Sequence, residues 1–256
     1  MKHLTPKKSL GQHFLNDQAI SAKIVSALKA EGINHVIEVG PGMGALTPFL
    51  LQENRYDTRF IEVDPDAAAY LESRYPEIKE KLIVADFLRY PLHDHYTGKI
   101  AVIGNFPYNI STQIFFKILE NRDLVKEVVG MLQKEVAERI AAPPGSKTYG
   151  ITSVLLQAFY HIDYLFTVHE HVFTPPPKVK SGVIRLVRND VESLPCNEKL
   201  FVQVVKTSFN QRRKMLSNSL KSLLPADRRD NPVLSKRPEQ LSVQDFIELT
   251  QFIEES

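Results

Sequence analysis

The chain has 256 residues, 43% of them hydrophobic and 24% charged, which excludes wholesale disorder and gives room for one large domain with a small appendage. A formal net charge of +2 names no partner, and one cysteine, Cys196, excludes an internal disulfide framework. No metal-ligand spacing surrounds Cys196, no apolar run approaches membrane-spanning length, and the first residues are basic rather than signal-like, so a soluble, cytoplasmic, metal-free and monomeric protein is expected.

AISAKIVSALKA (19–30) spaces Ile20, Ile24 and Leu28 as an amphipathic helix. Strands and helices then alternate. HVIEV (35–39) predicts a strand, followed by a glycine loop and a helix to about residue 53. TRFIEV (58–63) predicts a second strand, and DPDAAAYLESRY a helix with Asp and Pro at its start. KLIVA (81–85), KIAVI (99–103) and VKEVVGMLQ (125–133) continue the series, with QIFFKIL and KEVAERIAA as helices. YLFTVHE (164–170) and SGVIRLV (181–187) predict two further strands with no long helix between them, hence an antiparallel pair. The expected fold is α/β, a seven-stranded doubly wound (Rossmann-like) sheet over residues 1–190. After residue 190, EKLFVQVVKTSF, RRKMLSNSLKSLL and VQDFIELTQFIEE all have helical period, predicting a small all-helical lobe over 191–256.

The first strand runs into EVGPGMGALT. Gly40, Gly42 and Gly44 allow a tight turn and close backbone approach to a ligand at the start of a helix. Glu62 ends the second strand, 22 residues after Gly40, where a carboxylate can take both ribose hydroxyls. Asp86, after the third strand, is placed to accept from an adenine amine. Together they indicate a cofactor with an adenosine half. Read as Gly40-x-Gly42-x-x-Ala45, the loop also fits a dinucleotide fingerprint, so glycines alone leave a nicotinamide cofactor open.

GNFPYNIST (104–112) discriminates between them. Hydride transfer has no use for Asn-Phe-Pro-Tyr at a strand end, whereas methyl transfer to a planar nitrogen does. An adenine amine is a poor nucleophile because its lone pair is delocalised into the ring. Asn105 Oδ1 and the Phe106 carbonyl supply two acceptors for its two N–H groups, and Pro107, lacking an N–H, fixes the turn. Tyr108 offers a face for the base, a stacking contact of about 1–3 kcal/mol in single-strand binders.

Charge is uneven along the chain. Residues 1–16 carry Lys2, Lys7 and Lys8 with no acid, and residues 199–240 hold ten Lys or Arg against three Asp or Glu. Basic ends around a more neutral middle suit a polyanion.

These motifs, with KKSLGQHFLND (7–17), MLQKEVAERI, FTPPPKVKSGVIRL and FNQRRKML (209–216), span nearly the whole chain and resemble the ribosomal RNA adenine N6-dimethyltransferases. Within that family they are most similar to the bacterial members acting on two adjacent adenines near the 3′ end of small-subunit (16S) ribosomal RNA. The resemblance implies S-adenosylmethionine as cofactor and the immature 30S subunit as partner. It implies His13 and Leu15 beside the methionine part, Gly40 and Gly42 beneath it, Glu62 on the ribose, Asp86 on the adenine, and Asn105 touching the cofactor's edge of the target pocket. Phe173 is implied as a second aromatic wall opposite Tyr108, for a base taken out of its stack. Lys7, Lys8, Arg212, Arg213 and Lys214 are expected on RNA phosphate. Two positions depart from the family's common pattern: Phe106 where Leu or Ile is more usual, and His13 where Asn is frequent. The rival readings are a large-subunit ribosomal RNA dimethyltransferase of the macrolide-resistance type, a methyltransferase of DNA adenine or protein glutamine, and an assembly checkpoint with methylation secondary.

Overall fold

The computed structural model describes residues 6–7, 10–224 and 231–255. The chain divides into two compact units, one containing the described residues up to Ala137 with Ile162–Arg188, the other Glu138–His161 with the described residues from Asn189 onward.

The first unit is built on a seven-stranded sheet. In chain order its elements are β1 (Phe14–Leu15), α1 (Gln18–Ala27), β2 (His35–Val39), α2 (Thr47–Leu51), β3 (Asp57–Glu62), α3 (Pro65–Arg74), β4 (Leu82–Val84), α4 (Leu92–His95), β5 (Ile100–Asn105), α5 (Ser111–Glu120) and β6 (Val125–Gln133). After α6 (Lys134–Ala141) and α7 (Ile151–Gln157) come β7 (Tyr160–Val168), β8 (Phe173–Thr174) and β9 (Ser181–Arg188). The strand order is β4-β3-β2-β5-β6-β9-β7, and β1 pairs separately with β8. Pairing is parallel from β4 to β6 and antiparallel between β6 and β9.

Local chemistry accounts for these elements. Four of the five residues of β2 and five of the six of β5 are buried, the near-continuous apolar run of a central parallel strand. Asp17 caps α1 by accepting from Ile20 N–H at 3.0 Å, and Asp64 caps α3 by accepting from Asp66 N–H at 3.0 Å, with Pro65 at the first helical position. The strand order reverses between β2 and β5, so the carboxyl ends of these two strands flank a crevice.

One buried charge holds α1 to the sheet. Glu127 on β6 is 3% exposed, and its carboxylate accepts from Lys29 N–H at 3.0 Å, Ala30 N–H at 2.7 Å and Arg185 Nε at 2.7 Å. The two backbone donors belong to the turn after α1, where Ala30 takes a left-handed φ of 50°. Glu127→Ala strands the guanidinium and both amides, so urea unfolding should show a loss of about 3 kcal/mol. A loss below about 0.5 kcal/mol, the scale of an ordinary surface change, would mean that the cluster is not coupled to folding.

The second unit is helical, with α8 (Glu198–Asn210), α9 (Leu216–Ser219) and α10 (Val243–Glu254). Asn197 caps α8, and Ser242 with Asp245 forms a capping box on α10. Two sequence expectations change here. The helical unit takes in residues 138–161, which the expected 1–190 domain places with the sheet. The apolar faces of α8 and α10 need a third partner, and α7 packs on both, while Tyr149 meets Phe209 at 6.1 Å. RRKMLSNSLKSLL forms only the short α9. Ser217, Asn218 and Ser219 are weak helix formers, and Leu216 N–H bonds the Lys236 carbonyl.

Candidate active site

A cleft of about 290 Å³ opens at the carboxyl ends of β2, β3 and β5. Its walls bring together His13, Leu15, Gly40, Gly42, Glu62, Asp86, Asn105, Phe106, Pro107 and Tyr108, ten sequence-predicted residues scattered over almost a hundred positions.

The glycine loop forms the floor. Gly40 and Gly42 have φ of 64° and 57°, the left-handed region that glycine adopts without strain. A Cβ on Gly40 would meet no atom within 4 Å, so the backbone there faces open space; on Gly42 it would stand 2.9 Å from the Phe14 ring. Glu62 is 3% exposed and anchored by both carboxylate oxygens, Oε2 accepting from Gly42 N–H and Oε1 from Asp64 N–H, each at 2.9 Å. Each oxygen keeps a lone pair for a ligand hydroxyl. Burial raises the Glu62 carboxyl above its ordinary range, against the backbone N–H groups of Asp64, Gly42 and Val63.

The Asn-Phe-Pro-Tyr turn is tied to the amino-terminal segment. Asn105 Nδ2 donates to the His13 carbonyl at 2.9 Å. A carbonyl can only accept, so this bond fixes the amide and turns Oδ1 the other way. The His13 ring stacks on Tyr108 at 5.4 Å, and its Nδ1 lies 2.8 Å from the Pro175 carbonyl, so Nδ1 carries a proton. Tyr108 Oη is 2.6 Å from Ser181 Oγ on β9, and burial raises the phenol's pKa.

The sequence profile of the ribosomal RNA adenine dimethylase family matches residues 3–255. The chain belongs to that family. It is 57% identical to the ribosomal RNA small subunit methyltransferase A of Cytophaga hutchinsonii, with 99% of each chain covered. Among solved structures it resembles a dimethyladenosine transferase from Plasmodium falciparum, with a TM-score of 0.78 and 24% identity over 95% of this chain and 98% of that one. It also resembles the 23S rRNA methyltransferase ErmE, with a TM-score of 0.70 and 24% identity over 93% of this chain and 99% of that one. At these identities the two structures speak for the fold alone, and they bear out the α/β sheet.

Against the expectations for an adenine dimethylase, two residues stand elsewhere. Phe173 does not line the cleft. It is 2% exposed and belongs to the apolar core. Pairing of β1 with β8 sets Leu15 opposite Phe173 and Phe14 opposite Thr174, and Leu15 and Phe173 share one apolar core cluster. Lys7 is already neutralised: its Nζ lies 2.6 Å from Asp64 and 2.7 Å from Asp66, which raise its pKa, so it is not a free phosphate ligand. Lys8 lies outside the described residues. Arg212, half-buried, donates to the Ser146 carbonyl at 3.3 Å, while Arg213 and Lys214 are both exposed in the turn after α8.

Three residues of the site are not predicted from the sequence. Asp64 accepts from Lys7 and from Gln12 Nε2 at 3.2 Å, so these two amino-terminal residues are fastened beside the cleft. Burial opposes ionisation of Asp64, but the bonds from Lys7, Asp66 N–H and Gln12 prevail and lower its pKa. Glu38 sits 2% exposed in the cleft wall, with Thr47 Oγ1 donating to Oε2 at 2.9 Å, and burial pushes its pKa up to about 8. A carboxylate inside a buried central strand is the signal for Glu38. Asp64 and Gln12 give none, because their contact spans 52 positions.

Proposed function

We propose that this protein dimethylates the N6 amines of two adjacent adenines near the 3′ end of 16S ribosomal RNA, in the immature 30S subunit, using S-adenosylmethionine. The observation that carries the reading is the Asn105 amide, whose Nδ2 is bound by the His13 carbonyl so that Oδ1 is left as its acceptor, in the residue before the Phe106-Pro107 turn. The 57% identity to a relative named for the small subunit supports that substrate over the large subunit. The protein acts in the cytoplasm as a monomer in this reading; among the described residues no helix is long and apolar enough to cross a membrane.

The cleft suits an adenosine cofactor: open backbone at Gly40, two spare lone pairs on Glu62, and Asp86 at the far wall. Glu62 would hold the ribose hydroxyls, Asp86 the adenine amine, and Leu15 and the His13 backbone the methionine part. When bound, S-adenosylmethionine supplies an electrophilic methyl group carried on a sulfonium. Asn105 Oδ1 and the Phe106 carbonyl accept the two N–H groups of the target amine, drawing its lone pair out of conjugation and toward the cleft. Tyr108, held by Ser181 and His13, stacks on the base. An amide and a carbonyl are not proton acceptors at neutral pH, so the proton leaves to solvent. Catalysis is therefore positioning and electrostatics.

The test is transfer of labelled methyl to small subunits lacking the modification, with large subunits, DNA and release factor alongside. Label confined to dimethyladenosine near the 3′ end of 16S RNA is expected. Label in large-subunit RNA would reassign the substrate, and no label with cofactor bound would reject the activity.

Arg212, Arg213 and Lys214 are proposed as phosphate ligands. Arg212→Ala with Arg213→Ala should weaken subunit binding and reduce the slope of log K against log salt by about one for each phosphate no longer neutralised. Cofactor affinity should stay unchanged. A slope equal to that of the parent protein would remove these arginines from the interface.

A further inference from the structure

Two buried strands each carry a glycine where a packed side chain is preferred: Gly104 in β5 and Gly130 in β6. Strand register pairs them directly. The Phe106 ring lies across both. A Cβ built on Gly130 would stand 2.5 Å from Phe106 Cε2 and 2.9 Å from Cδ2; on Gly104 it would stand 2.9 Å from Cε1 and 3.0 Å from Cδ1. Real Cβ atoms do not approach so closely, so the ring occupies the space that two side chains would fill. Phe115 meets the ring edge-on at 5.7 Å, and Phe106 is 1% exposed. The backbone is clamped too, because Phe106 N–H donates to the Met131 carbonyl at 2.9 Å, one residue beyond Gly130.

We infer that Gly104 and Gly130 form a seat for the Phe106 ring, and through it are positioning residues that set where the Phe106 carbonyl meets the target amine. The inference rests on the proposed role of that carbonyl. The depth of the ring in its seat fixes the backbone that carries the carbonyl, so the side chains at 106 and 130 are coupled in size. A phenyl at 106 requires glycine at 130, and a larger residue at 130 requires a shorter one at 106. Gly104 is constrained twice, since its Cβ would also stand 2.6 Å from the Val39 carbonyl. Gly130 is the clean probe, because the three atoms nearest its added Cβ all belong to the Phe106 ring.

The experiment compares Gly130→Ala, Phe106→Leu and the double variant in methyl transfer to unmodified small subunits, with cofactor binding and thermal unfolding measured on each. Gly130→Ala should lower kcat about 10- to 100-fold, the scale of a small misplacement, while the cofactor dissociation constant moves by less than about threefold. Adding Phe106→Leu should return kcat to the level of Phe106→Leu alone. Parental kcat in Gly130→Ala overturns the inference, and so does a loss that Phe106→Leu fails to rescue in a folded protein. Should Gly130→Ala alone not fold, Phe106→Leu with and without Gly130→Ala decides: without the ring the extra methyl must leave kcat unchanged, and a tenfold loss overturns the seat. Asn105→Ala is run beside them. If it keeps full activity, the acceptor reading itself has failed; if it is inactive while Gly130→Ala is parental, the seat alone has failed.

Discussion

Asn105→Ala should lose at least about 100-fold in kcat, the scale at which one preorganised polar group acts on a developing charge. The loss belongs in kcat because the amide bonds the amine most strongly as its nitrogen pyramidalises and its N–H groups become acidic. Cofactor affinity should fall far less, since Glu62 keeps both of its backbone anchors without Asn105. Asn105→Asp separates the acceptor's presence from its orientation. Its carboxylate still accepts but cannot donate to the His13 carbonyl, so two oxygens now face each other across 2.9 Å. That variant should retain binding and recover only part of the activity. Rate measurements at saturating cofactor and subunit check both. If Asn105→Asp matched the parent, orientation by His13 would not matter; if Asn105→Ala did, the acceptor would lie elsewhere.

Legibility in the sequence follows the range of the interactions involved. The sheet strands are readable because burial on both faces leaves near-continuous apolar runs, as in IAVI and EVVGML. The ligand-bearing turns are readable because glycine, proline and a terminal carboxylate each have a local backbone reason to be there, and the residues they carry meet in one cleft. What fails is non-local. Two-residue strands have no period, so β1 and β8 leave no trace, and with them goes the inward turn of Phe173. Lys7 looks like a free cation because Asp64 and Asp66 are 57 and 59 residues away. The third helical partner of α8 and α10 sits before β7 in the chain, so no boundary placed at a single position can capture it. Glu38 is visible as an anomaly in HVIEV, but only the fold supplies the Thr47 hydroxyl that donates to it and the cleft beside it.

Burial of Glu38 makes stability depend on pH. With its pKa pushed up to about 8, chiefly by burial, against the Thr47 bond and with the charge of Glu62 adding to it, Glu38 holds a proton in the folded protein over a range where the unfolded chain, near 4.5, has lost it. The folded state then binds more protons than the unfolded one, so stability must fall as pH rises between about 4.5 and 8. At most about 1.36 kcal/mol is lost per pH unit from one group, and the whole window is worth about 4 kcal/mol. Asp57, Asp64 and Asp245 have lowered pKa values and act in the opposite sense, but their contribution is complete above about 3.8 and lost only below it. Between about pH 5 and 8 they leave the slope alone. Glu62 is also raised by burial and acts in the same sense as Glu38. Glu38→Gln replaces the neutral acid by a neutral amide of the same shape that still accepts from Thr47. The variant should match the parent near about pH 5, exceed it by a few kcal/mol at about pH 8, and show a much shallower profile between, with only the contribution of Glu62 left. Urea unfolding at half-unit steps of pH measures this directly. A variant profile parallel to the parent's would mean that Glu38 is ionised in the folded protein throughout, and that the cleft supplies it with a positive partner or water strong enough to offset its burial.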